Sequence, residues 1–311
     1  MDSVFDSVFI VGLLAAAVRI AAPLIMGALG GLISERAGVF AVGIEGMMLA
    51  GAFGASVATF ATGSAMVGLA AAISAGALMA ALVAIAVTRF RSDQMVTGLS
   101  INILAFGLTG FLIRGLFGGH PPAIRIDLFG ALPIPFLSRL PVIGPILFQQ
   151  PILTYAAVAF TFLLHFFLYR TNAGLALRAT GENPEAVYAA GKDPVRIRQL
   201  AVIACGAVAG FGGAVLVFQD VGTFTDGMTG GRGFLALAAL IVGRWTPLGA
   251  LVSCLIFGAA SALEVRLQGI DLPVSSYVIQ MVPYVIALIV LTGLGRGTRM
   301  PQAIGRAYQT S

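Results

Sequence analysis

Apolar runs of roughly 20 residues follow one another along the chain, broken by short polar, glycine- or proline-containing intervals, and that spacing predicts about nine membrane-crossing helices. The runs fall at 8–32, 38–60, 65–88, 94–117, 151–169, 199–218, 233–245, 247–264 and 273–294. The seventh is short, and Trp245, Thr246 and Pro247 punctuate it, so spans seven and eight read as one hairpin or a broken helix. An alternating pattern of about ten residues, which a β-barrel needs, is not what the chain carries. The expected fold is therefore an all-α polytopic membrane protein forming a single transmembrane domain over residues 1–311.

The longest polar interval, Arg170 to Arg198, has a readable grammar. Asn183 supplies an N-cap, Pro184 a first helical residue and Glu185 an acid in the first turn, while Gly191 offers a stop. A helix of about two turns, Pro184 to Ala190, is predicted, isolated by glycines and too short to hold itself together in water. It reads either as a docking element or as an ordinary solvated loop. Gly181 is expected to end the preceding helix, which carries Ala173 to Thr180. Asp193 and Pro194 repeat the cap and proline, so the next span starts at once.

Composition sharpens this picture: 59% of residues are hydrophobic, 10% are charged and the mean hydropathy is +0.99. No soluble fold of this length needs such values. Forty glycines suit closely packed membrane helices. The net charge of +5 is a topology signal rather than a nucleic-acid footprint, because the basic residues cluster beside apolar runs. Placing 170–198 and the tail with Arg296, Arg299 and Arg306 in the cytoplasm puts most of the 18 Lys and Arg residues on that side. The N-terminus then lies outside, and with no basic n-region near Asp2 and Asp6 the first run reads as a retained span. The proline-rich outer loop 118–150 is expected to act as a rigid cover or partner platform.

Candidate chemistry is sparse. Lys192 is the one lysine and lacks the glycine spacing of a phosphate-binding loop, so ATP is not expected to bind this chain in that way. His120 and His165 fit no metal pattern, Cys205 and Cys254 read as small buried hydrophobes, and no nucleophile elbow or zinc-protease signature occurs. Ionisable groups inside spans carry more information, since hydrocarbon tolerates them only when paired or facing water. Glu45 in span two and Arg19 in span one either pair with each other or leave Glu45 on a solute path. Gln94, Thr97, Asn102 and Gln280 are neutral hydrogen-bonding groups suited to an uncharged polar solute or to joining helices. Gly38 to Gly51 and Gly233 to Gly249 open spans two and seven with similar steps, a candidate inverted repeat.

At Ser34 to Leu49 (SERAGVFAVGIEGMML) the chain resembles the permease subunits of bacterial ABC importers for nucleosides and simple sugars, relatives of the branched-chain amino acid permeases. Asp93 to Leu104 (DQMVTGLSINIL), Gly181 to Gly191 (GENPEAVYAAG) and Gly230 to Gly249 (GGRGFLALAALIVGRWTPLG) extend the resemblance over nearly the whole chain. It implies a subunit of the bacterial inner membrane, not itself an enzyme, working with a separate ATPase that holds ATP and Mg, a second homologous permease and an external substrate-binding lipoprotein. Glu182, Asn183, Pro184, Glu185, Ala186, Val187, Tyr188, Ala189, Ala190 and Gly191 correspond to the family's coupling helix. Members usually carry Asn where this chain has Ala41, so no substrate role transfers to that position. The implied cargo is a nucleoside or related polar solute, with sugars or branched-chain amino acids as alternatives. Outside the family, an ion-coupled secondary transporter using Glu45 is the competing reading.

Overall fold

The computed structural model describes residues 7–118, 130–269, 276–294 and 300–306. The architecture is helical, and among the described residues seven helices are long and apolar enough to cross a membrane. They are α1 (Ser7–Arg36), α2 (Ile44–Thr62), α3 (Ala65–Thr88), α4 (Gln94–Phe117), α6 (Ile152–Arg170), α9 (Pro194–Val215) and α11 (Pro247–Gln268). The last turns of α9 widen to π geometry over Leu216–Val221. Two shorter apolar stretches complete the expected nine: α10 (Arg232–Val242), and the pair α12 (Ser276–Gln280) and α13 (Val282–Leu294). The remaining helices lie outside the spans: α5 (Ile143–Leu147), α7 (Asn172–Glu182) and α8 (Pro184–Ala189).

Small residues explain the tight packing. Where α3 crosses α9, a Cβ on Gly206 would strike the Gly76 carbonyl and one on Gly210 would strike the Ala72 carbonyl. Backbones therefore approach as only glycine permits, and dispersion contacts replace the hydrophobic effect that lipid cannot supply. Two clusters of buried side chains flank this seam. One is centred on α1 and α11 around Leu24, Leu29 and Phe257. The other is centred on α2, α3 and α9 around Met48, Leu216 and Phe224.

The packing plan repeats with a five-span offset. Helix α1 packs on α9, α10 and α11, and α9 packs on α1, α2 and α3. Likewise α4 packs on α2 and α3, as α13 packs on α10 and α11. The two copies run in opposite directions, because α1 ends beside α7 and α8 whereas α9 begins there. This is the inverted arrangement anticipated from the openings of spans two and seven.

Two departures from the expected boundaries matter for function. Span two was expected from residue 38, but 37–43 is irregular, with Gly38 at φ +89°, and α2 starts only at Ile44. Gly181 does not end the helix before α8: α7 runs through it to Glu182, and Asn183 is at once the C-cap of α7 and the N-cap of α8. The proline-rich interval 118–150 is partly folded over its described residues. Its strands Ala131–Pro133 and Gln149–Pro151 pair antiparallel, and the intervening α5 packs on α1. Gln150 donates to the Ala15 carbonyl (3.1 Å), so this hairpin covers the start of α1. Pro121, Pro122 and His120 lie outside the described residues.

Candidate functional site

The short helix α8 forms for the reasons its sequence announces. Asn183 Oδ1 accepts from the Ala186 amide (3.0 Å), Pro184 occupies the first helical position, and Gly191 leaves in the left-handed region at φ +78°. Asp193 Oδ1 then caps α9, accepting from Val195 (2.9 Å) and Arg196 (3.3 Å). Val187 is buried and fastens α8 to the body, while Glu182, Glu185, Ala186, Tyr188 and Ala189 are exposed. A helix fixed by one apolar anchor thus presents an otherwise open face.

That face is joined to the membrane helices by backbone contacts. The Gly181 Cα lies against the Arg36 carbonyl, where a Cβ would collide, and the Gly181 carbonyl accepts from the Ala303 amide (2.9 Å). Arg198, at the start of α9, donates to the carbonyls of Ala37 (3.2 Å), Ala303 (3.3 Å) and Arg306 (2.9 Å). Gln94 Oε1 accepts from the amides of Phe40 (2.8 Å) and Gly305 (3.2 Å). The irregular 37–43 segment is consequently pinned by groups from α4, α7, α9 and the tail.

A second clamp holds the turn between α10 and α11. Arg244 and Trp245 adopt positive φ, 56° and 51°, a conformation costly for bulky side chains. Trp245 Nε1 donates to Glu35 Oε2 (2.5 Å), and Arg36 Nε donates to the Trp245 carbonyl (2.8 Å). Glu35 is fully buried, and its other oxygen accepts from Ala41 (3.4 Å). Two stretches that carried the family resemblance, Ser34 to Gly38 and Gly243 to Gly249, therefore meet in space.

Deeper in the bundle, Glu45 joins the two repeats. The eleven residues of α10 rise about 16 Å, roughly half of a ~30 Å hydrocarbon layer. Since its C-terminal end is held beside Arg36, its N-terminus lies near mid-depth. There Glu45 Oε1 accepts from the Gly231 amide (2.8 Å) and Oε2 from the Gly233 amide (2.6 Å). Glu45 itself sits in the first turn of the 19-residue α2, so one carboxylate faces the positive ends of a full-length span and of the shorter α10, which point in opposite directions. Asn102 accepts from the Gly46 amide (2.8 Å) and donates to the Val42 carbonyl (2.9 Å), fixing the start of α2. In the other repeat, Tyr284 Oη donates to the Gly230 carbonyl (3.0 Å), two residues before α10, as Val42 stands two before α2.

The five solute-path candidates separate accordingly. Glu45 and Asn102 meet at the α2–α10 junction, and Gln280 is exposed on a cavity at its rim. Gln94 lies at the α8 end, and Thr97 hydroxyl bonds the Asp93 carbonyl of its own helix (2.7 Å). Arg19 does not pair with Glu45, whose oxygens are both taken by backbone amides. Sequence reasoning missed Glu35, Arg36, Arg198, Trp245 and Tyr284. The available signal was the single tryptophan, which sits at the broken helix.

A full span and a short helix whose starts share one carboxylate inside the bundle, an inverted repeat and a surface helix tied to both define a multi-pass membrane transport subunit. The chain belongs to the family described as the branched-chain amino acid transport system / permease component, whose model matches residues 13–291. It is 36% identical over 297 residues to the guanosine ABC transporter permease protein NupQ of Bacillus subtilis, covering 93% of each chain. It is 36% identical over 296 residues to the nucleoside ABC transporter permease protein NupC of Lactococcus lactis, covering 92% of this chain and 93% of that one. A Haloferax volcanii permease named for glucose transport, TsgC13, is 38% identical over 268 residues, 85% of this chain and 80% of that one. Among solved structures, an inward-facing conformation of an ABC transporter described as of the metal-chelate type shares the fold, with TM-score 0.50, 16% identity, and 92% and 86% coverage.

Proposed function

We propose that this chain is one permease of a bacterial inner-membrane ABC importer that moves a nucleoside inward, driven by a separate ATPase docked on α8. The observation that carries the reading is the joint one: a capped, exposed helix wired to the facing starts of α2 and α10, in a chain similar over nearly its whole length to guanosine and nucleoside permeases. In this reading the α8 end is cytoplasmic and the N-terminus external. A second, homologous permease completes the pore, an external binding lipoprotein delivers the solute, and ATP with Mg is held by the ATPase alone.

Transmission follows from how few soft joints exist. Asn183 serves two helices at once, so α7 and α8 share no spare linker residue. Movement of α8 is passed at Gly181 to the Arg36 carbonyl, along 37–43 to the start of α2, and through Glu45 to α10. Helices α2 and α10 would then shift as units, changing which end of the path is open. The commitment of both Glu45 oxygens to backbone amides also argues against an ion-coupled carrier that uses this carboxylate. Similarity to TsgC13 favours a sugar as the second substrate reading.

The test is purification from the native membrane in mild detergent with mass spectrometry of what accompanies the chain. An ATPase and a second permease are expected. A lone chain that transports solute on an ion gradient in liposomes would overturn the proposal.

A further inference from the structure

The outward surface of the bundle has two characters. On α3 and α4 the exposed side chains are apolar at mid-depth, among them Leu78, Leu82, Ile103 and Phe106, as a lipid-facing surface requires. Between α1, α10, α11 and α13 lies instead a cavity of about 250 Å³ lined by Arg232, Ser261, Glu264, Gln280 and Tyr284. Arg232 is the first residue of α10, so it stands near mid-depth, where a guanidinium against hydrocarbon is costly. This side must meet water or another protein surface.

The hydrogen-bonding capacity of the cavity is only partly used. Arg232 Nη1 donates to the Met228 carbonyl (3.0 Å), and Glu264 Oε1 accepts from Gln268 (3.0 Å). Gln280 and Ser261 spend no side-chain bond on described residues, and Tyr284 offers a ring whose hydroxyl is anchored on Gly230. The floor includes Gly230, whose carbonyl Tyr284 holds, next to the Gly231 amide that Glu45 holds.

We infer that this cavity is a solute subsite on the translocation path, taking the hydroxylated sugar ring of an uncharged solute between Glu264, Arg232 and Gln280. The inference rests on the importer reading and assigns a place for contact within it. A carboxylate and a guanidinium side by side match vicinal hydroxyls, which accept and donate at once, and carry no net charge that would retain an ionic cargo. A cavity of about 250 Å³ has room for a sugar ring, which is what nucleosides and glucose have in common. Because the floor is the α10 N-terminus, displacement of α10 by α8 would reshape the subsite and release its occupant.

The experiment uses the complete importer in cells. Ser261→Cys is treated from outside with a membrane-impermeant cationic thiol reagent, with Leu82→Cys on α3 as the lipid-facing reference, in the absence and presence of guanosine or glucose. The native Cys205 and Cys254 are buried and serve as background. Thiols react as thiolates in water, so S261C should react about tenfold faster than L82C or more, and a transported solute should slow it several-fold. In parallel, Glu264→Gln should cut maximal uptake about tenfold with little change in KM, since removing a contact made by the permease does not alter capture by the binding protein. Labelling no faster than L82C overturns the subsite, as does labelling that neither solute slows together with normal uptake by E264Q. If S261C labels and glucose protects while wild-type cells carry no guanosine, the nucleoside assignment fails and the subsite stands.

Discussion

Glu45→Gln isolates the junction on which both repeats meet. The carboxylate accepts from two amides, at 2.8 and 2.6 Å. A glutamine retains one acceptor and turns an amino group toward the other N–H. Charge-assisted bonds contribute about 1.5–3 kcal/mol each against about 0.5–1.5 for neutral ones, and an amide left without a partner costs about 1–3 kcal/mol. The side chain is half-buried, so solvent offsets part of this, and a loss of about 2 kcal/mol is expected. At about 2–4 °C per kcal/mol for a chain of this size class, the unfolding midpoint should fall by roughly 4–8 °C. Cys205 and Cys254, 1% and 0% exposed, make natural reporters: a thiol-reactive dye that fluoresces on coupling reads their exposure during heating in detergent. Arg19→Gln is the matched control, since Arg19 is exposed and does not touch Glu45. An unchanged midpoint for Glu45→Gln, or an equal fall for Arg19→Gln as an Arg19–Glu45 pair would give, refutes the reasoning.

Other consequences follow from the contacts at the α8 end. Trp245→Phe removes the donor to the buried Glu35 carboxylate and should cost about 1–3 kcal/mol, read as a drop of several degrees in the same dye assay. Gly181→Val places a branched side chain against the Arg36 carbonyl. Overpacking of about 1–3 kcal/mol should separate α7 from 37–43, so ATP hydrolysis continues while uptake per ATP falls. Ala186→Arg or Glu182→Lys changes only exposed positions, so membrane levels should match wild type while solute-stimulated ATP hydrolysis is lost.

How much of this was legible in the sequence depended on whether the signal was local. Spans three and four were read to the residue, because Thr62 to Ser64 and Arg89 to Asp93 interrupt apolar runs with polar and cap residues. The caps of α8 and α9 were equally plain, since Asn183-Pro184 and Asp193-Pro194 act within one turn. Gly181 misled: glycine commonly stops a helix, but here it is retained inside α7 because the Arg36 backbone passes where a Cβ would be. The apolar run 38–43 reads as helix, yet it forms turns and irregular backbone, and 37–43 is held from outside by Gln94, Arg198 and Glu35. Glu45 was recognised as costly in hydrocarbon, but its partners are backbone amides more than 180 residues away, which side-chain chemistry does not display. The roles of Trp245 and Tyr284 are hidden too, since Trp245 bonds Glu35 across the repeat boundary and Tyr284 bonds a backbone carbonyl 54 residues away.

The central claim, that α8 is the face on which a separate ATPase acts, is tested most directly by cross-linking from Ala186→Cys in native membranes. A short thiol-to-amine reagent should join this chain to an ATP-binding subunit, and the yield should change when nucleotide closes that subunit. If no such product forms while the variant imports solute normally, the docking account is contradicted and the joint at Gly181 loses its function.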